Sequence, residues 1–168
     1  VGTNPANLRA AVESIAAGAT EAGRDPADVS IGLIVHTCHS QDPAEIRAIS
    51  RAMAAGFYEY APALFSQAGF EWNGTPIEEL KKQLWPDFHH AADLVAAGTL
   101  VDFLPDEVAA SFSFFGSPAD VADQIRTVVA EVRQIEIVVP HPVPLPFGRA
   151  MGEAHRAYLD WLGRGVLA

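Results

Sequence analysis

The chain has 168 residues, 49% hydrophobic and 19% charged, which is the size and balance of one compact soluble domain with room for a core. A net charge of −10 and only two lysines, Lys81 and Lys82, argue against nucleic acid as a partner, because binding there depends on Lys and Arg neutralising phosphates. There is no apolar run of the ~20 residues a membrane helix needs and no basic-then-apolar leader, and the single cysteine, Cys38, excludes an internal disulfide; a cytoplasmic location is expected.

Asn4 and Pro5 form an N-cap and a first helical residue, and Leu8, Ala11, Val12, Ile15 and Ala19 then recur at helical spacing as one buried stripe. Gly23 sits where a left-handed C-cap is expected, and Pro26 cannot continue the helix. A strand follows over Val29–Thr37. Its odd positions, Val29, Ile31, Leu33 and Val35, are large and apolar and are assigned to the face that meets helices. That assignment turns His36 and Cys38 inward at the C-terminal end of the strand. Asp42 and Pro43 restart a helix with Ile46, Ile49, Met53 and Phe57 on its apolar side, which Pro62 kinks or ends. Residues 66–76 carry turn residues and exposed-looking aromatics and read as a loop. Short helices are predicted over Pro76–Leu84, over Pro86–Ala97 with Gly98 ending it, and over Leu104–Ser113. Phe112, Phe114 and Phe115 are expected to pack this region onto the sheet. Ser117 with Pro118 caps a last crossover helix whose stripe is Val121, Ile125, Val128, Val129 and Val132. Ile135–Val139 is the last strand, Pro140–Gly148 a proline-stiffened loop, and Ala150–Leu162 a closing helix carrying Tyr158, Trp161 and Leu162.

Helix followed by strand, repeated, builds a parallel sheet through crossover helices. The expected fold is α/β: part of a TIM (β/α)8 barrel, its last two to three βα units, with a helical insertion over residues 66–114 before the final strand. All of it falls in one domain, residues 1–168. So few units cannot close a barrel, which typically needs ~250 residues. Unpaired strand edges and an uncovered inner face then predict a homo-oligomer or pairing with a complementary N-terminal half. The chain opens on Val1, so its original N-terminus is expected to be missing.

Three constellations could carry chemistry. In His-Thr-Cys-His, His36 to His39, two inward residues at i, i+2 could share a metal, but His39 points the other way and no further ligand stands at a recognised spacing. No metal is assigned. His36 is left either packed in a cleft or in contact with a ligand, since active sites form at the C-terminal ends of barrel strands. On the predicted Pro86–Ala97 helix, His89 and Asp93 are i, i+4 neighbours with His90 on an adjacent face: an acid/base pair, a substrate-facing wall, or a satisfied surface pair. His141, after the last strand, is placed at the barrel mouth, where substrate groups are often held, or in a simple turn. Cys38 lacks a base at nucleophile spacing and reads as a small buried hydrophobe. No GxGxxG or P-loop is present. A small metal-dependent hydrolase built on His36, Cys38 and a histidine of the insertion is a further alternative.

Several segments together resemble the C-terminal half of the bacterial-luciferase-like superfamily. GTNPANLRAAVESIAAGATEAGRDPADVSI, Gly2 to Ile31, is similar to the stretch that follows that superfamily's Ala-Asp-Gly motif. DFHHAADLVAAG (Asp87–Gly98) and LPDEVAASFSFFGSPADVADQI (Leu104–Ile125) resemble its later insertion and its Gly-Ser-Pro helix start, and IEIVVP (Ile135–Pro140) its last barrel strand. The nearest relatives in kind are the coenzyme F420-dependent oxidoreductases, such as methylenetetrahydromethanopterin reductase. The resemblance implies hydride transfer between F420, or FMN as the alternative, and a small organic substrate, with the cofactor bound mainly by residues outside this chain. It makes His36, His89 and His141 substrate-side residues and leaves the catalytic and cofactor-binding residues unassigned. A non-catalytic half-barrel subunit acting through chain–chain association is the alternative.

Overall fold

The helix starts written into the sequence are the first features realised in the computed structural model, which describes residues 1–40, 42–144 and 151–166. Helix α1, Pro5–Glu21, begins with the Asn4 side chain accepting the Ala6 N–H at 2.9 Å and stops at Gly23, whose φ of 71° is left-handed. Helix α2, Pro43–Tyr60, is capped by Asp42 in the same way, at 2.8 Å from the Ala44 N–H. Helix α7, Pro118–Glu131, carries a reciprocal box: Ser117 Oγ accepts the Asp120 N–H and Asp120 Oδ2 accepts the Ser117 N–H. The α1 stripe is buried only in part, because Ile15 stays exposed while Asn7 is buried and donates to the Leu64 carbonyl at 3.1 Å.

Strand β1, Ile31–Cys38, is the middle of a three-stranded parallel sheet in the order β2-β1-β3. Its neighbours are β2, Phe114–Phe115, and β3, Ile135–Val143. Between Ile31 and Gly32 the β1–β3 register slips, and from Gly32 opposite Ile137 it runs unbroken to Cys38 opposite Val143. That register sets His36 against His141. This is the α/β parallel arrangement expected of part of a TIM-type barrel. Leu33 and Val35 point to the helices, packing with Leu8, Val121, Val128, Val132, Ile135, Tyr158 and Leu162. The last two come from α8, Met151–Val166. Complete burial of side chains such as Val121 and Val132 is worth ~1.5–3 kcal/mol each. The opposite sheet face is apolar and open, with Ile34 72%, Ile137 54% and Val139 46% exposed.

Between α2 and β2 the chain forms short pieces: α3, Ala63–Gln67; α4, Ile77–Leu80; a 3-10 turn, Lys81–Gln83; α5, Leu94–Thr99; and α6, Asp106–Ala110. They pack onto α2 through a second cluster containing Ile46, Ile49, Met53, Phe65, Phe88 and Phe112. Phe112 stacks on Phe65 at 4.7 Å. No helix among the described residues is long and apolar enough to cross a membrane.

Four expectations are corrected. The predicted Pro86–Ala97 helix does not form: Asp87 Oδ1 takes the N–H groups of His89 and His90 into a turn, and helix starts only at Leu94, capped by Asp93. Gly98 lies inside α5 and does not end it; a Cβ there would stand 1.8 Å from the Ala48 carbonyl oxygen, so it is the contact point of α5 on α2. Strand β3 continues through Pro140 and Pro142 to Val143, which an edge strand permits because a proline there need cost no ladder bond. Within residues 66–76, Trp72 is not an exposed loop aromatic: it stacks on Tyr58 at 4.3 Å and donates to the Thr75 carbonyl at 2.8 Å. The latter part of the predicted proline loop, residues 145–148, and Ala150 at the start of the predicted closing helix lie outside the described residues.

Candidate functional site

Parallel pairing brings His36 of β1 and His141 of β3 side by side near the C-terminal ends of their strands, with ring centroids 5.6 Å apart. The turn at 87–93 adds a third imidazole from across the cleft: the His89 ring stands 5.0 Å from His36 and 5.1 Å from Phe57 of α2. Helix α2 makes room for it at Gly56, where a Cβ would lie 2.0 Å from the His89 ring. The three predicted substrate-side histidines therefore share one cleft of about 670 Å³, also lined by Met53, His90, Leu94 and Pro142. That is within the usual size of small-molecule pockets.

Burial, and then the neighbouring His89 and His141, push the His36 pKa down to about 3. The His36 Nδ1 is buried and has no hydrogen-bond partner among the described residues. His89 is lowered too, chiefly by burial, although its Nε2 stands 2.9 Å from the Met53 carbonyl oxygen. A carbonyl only accepts, so His89 carries its proton on Nε2 when neutral. At neutral pH His36 is an uncharged imidazole, and among the described residues no Lys or Arg lines the cleft. The described lining can accept or donate hydrogen bonds to a neutral, partly apolar guest.

The expected partnership of His89 with Asp93 is not formed, because Asp93 caps α5. The carboxylate that matters is Asp87, which meets the His90 Nδ1 at 2.8 and 2.9 Å through its two oxygens. Sequence reasoning missed this pair, along with Gly56; an Asp directly after Pro86, three residues before a histidine, was the available turn signal. Cys38 is the small buried hydrophobe expected: it is fully buried among Ile46, Ile49 and Val143, and burial pushes its thiol up to about 12 despite a hydrogen bond with Ser113. His39 does point away, against Tyr158 and Trp161 of α8. Among the described residues, no group of three or more His, Cys, Asp and Glu side chains is placed to hold a metal.

The model of one family, described as luciferase-like monooxygenase, matches residues 1–133, from the start of the chain to just past α7. His36, His89, His90 and Asp87 fall within the match, and His141 lies beyond it. No solved structure matches the chain.

Proposed function

The chain belongs to the luciferase-like monooxygenase family, and from that premise we propose that it forms the substrate-side wall of an F420-dependent oxidoreductase, with FMN as the alternative cofactor. The reaction is hydride transfer between the deazaflavin or flavin and a small organic substrate. The observation that carries this reading is the meeting of His36, His89 and His141 in one cleft near the C-terminal strand ends, where barrel enzymes place their chemistry.

The cleft fits the substrate better than the cofactor. Its described lining is apolar apart from His36, His89, His90, His141 and Asp93, and among the described residues it holds no cation for the phosphate that both candidate cofactors carry. In keeping with the family resemblance, the cofactor is assigned mainly to residues outside this chain, and it supplies the hydride chemistry when bound. His36 and His89 orient a neutral substrate group by hydrogen bonds, and Met53 and Leu94 exclude water from it.

The test uses the protein purified from its source cells. Visible absorbance follows the reduction of added F420 or FMN by candidate alcohols, and the oxidation of reduced F420 or FMN by candidate aldehydes and imines. His36→Ala should cut kcat/KM at least tenfold, the loss of about one charge-free hydrogen bond and its packing, and leave the cofactor Kd within twofold. A cofactor Kd that changes in step with turnover would move His36 to the cofactor side and refute the assignment.

The open inner face, with Ile34, Ile137 and Val139 exposed, supports a second reading. In it the chain is a non-catalytic half-barrel subunit that acts by covering that face with a second copy or a complementary N-terminal half.

A further inference from the structure

From the 87–90 turn we infer that His90 is a proton-accepting catalytic residue of the cleft and that Asp87 is its positioning residue. The inference rests on the proposed function for the reaction it serves, but its geometry stands apart from any cofactor. Asp87 is nearly buried, and its oxygens meet the His90 Nδ1 at 2.8 and 2.9 Å. A carboxylate accepts only, so the neutral His90 ring is held with its proton on Nδ1 and a bare lone pair on Nε2. His89, one residue earlier, is fixed in the opposite form by the Met53 carbonyl. The His90 side chain is 65% exposed and lines the same cleft as His36.

Asp87 is built to stay an anion. Burial alone would raise its pKa, but hydrogen bonds from the His90 ring, the Tyr60 hydroxyl and the His90 backbone N–H outweigh this and hold it below the usual carboxylate range. The backbone N–H of His89 adds a further bond at 2.8 Å. Other charged groups around the turn include Asp93, which caps α5 and lines the cleft, Glu59 of α2, which accepts the Phe88 N–H at 3.2 Å, and Lys81, which pairs with Glu59 at 3.1 Å. Carboxylate, oriented imidazole and open cleft thus stand in the order that general-base catalysis requires. In the step itself, a substrate O–H or N–H bond breaks as the His90 Nε2–H bond forms. The electron pair stays on the substrate heteroatom, and Asp87 balances the resulting imidazolium.

The test needs no cofactor. On the protein as purified, two-bond 1H–15N correlation spectra give each tautomer, and diethyl pyrocarbonate, read by peptide mass spectrometry, gives each imidazole's reactivity. The expected result is His90 as the Nδ1–H tautomer, His89 as the Nε2–H tautomer, and His90 modified faster than His36 or His89. Asp87→Asn should slow modification of His90 several-fold, because the ring loses the carboxylate that makes its Nε2 electron-rich, and leave His36 unchanged. His90 in the Nε2–H form in the unmutated protein, a reading that requires no variant to fold, would overturn the inference. So would an unchanged His90 rate in a folded Asp87→Asn variant. Failure of F420 and FMN turnover with these signatures intact would sink the proposed function and leave the proton-accepting site standing.

Discussion

Lowering the pH should destabilise this fold through His36 long before its carboxylates are titrated. The folded pKa is about 3, against ~6.5 for an unfolded histidine. As pH falls below the unfolded value, the unfolded chain takes up a proton that the folded one refuses, so stability drops from there until the folded ring also protonates. Between pH 7 and pH 5 the linkage relation gives a loss of about 2 kcal/mol from this one residue. With the usual dependence of stability on denaturant, that is a fall of roughly 1 M in the urea midpoint. His36→Phe isolates the effect, since a phenyl ring can keep the contacts with Phe57, His89 and His141 but cannot take a proton. It also removes the unpartnered Nδ1, so at pH 7 the variant should be no less stable than the parent. Urea unfolding of both proteins at pH 7 and pH 5, followed by circular dichroism, measures the difference with all other groups cancelling. Equal losses in the two proteins, or a His36 resonance titrating near 6.5, would refute the reasoning.

Gly56→Ala gains up to about 1 kcal/mol in helix propensity yet should be net destabilising, because its Cβ meets the His89 ring; loss of the His89 Nε2–H signal at Met53 checks that the ring has been driven out. Gly98→Ala should cost about 3 kcal/mol in urea unfolding, since the atoms its Cβ would strike belong to the Ala48 backbone and cannot rotate away; a near-neutral result would mean that α5 does not lie this close to α2. Light scattering on the purified chain should give at least twice the monomer mass, from association through the Ile34, Ile137 and Val139 face, and a well-folded monomer would end the reading of that face as a docking surface.

What was legible in the sequence was local and periodic. Asn4, Asp42 and Ser117 announce helix starts because each supplies an acceptor to an N–H that the helix leaves free, and all three do so. The odd positions of β1 announce its helix-facing side, and Leu33 and Val35 are buried there. Strand β2 was not legible, since two residues carry no period and Phe114 and Phe115 become a strand only by pairing with Thr37 and Cys38. The end of β3 was not legible either, because Pro140 and Pro142 signal a loop unless the strand is known to be an edge.

The site divides along the same line. Once the fold class is known, His36 and His141 can be located from strand position alone, since parallel pairing with a given register leaves little choice about which residues face each other at the strand ends. His89 was read on a helix that does not exist and given a substrate side only through the family resemblance; it arrives in the cleft because Gly56 clears its space and the Met53 carbonyl holds its ring. The same mistaken helix hid the pair that matters chemically. At helical spacing Asp93 is the natural partner of His89, but a carboxylate one residue after a proline finds unpaired backbone N–H groups close by. Asp87 satisfies two of them and so turns the chain where the helix was expected. That turn sets the His90 ring against the carboxylate. The backbone bonds that break the helix and the side-chain bond that orients the base thus come from one residue: Asp87→Asn keeps an acceptor for the first and removes only the charge behind the second, whereas Asp87→Ala removes both.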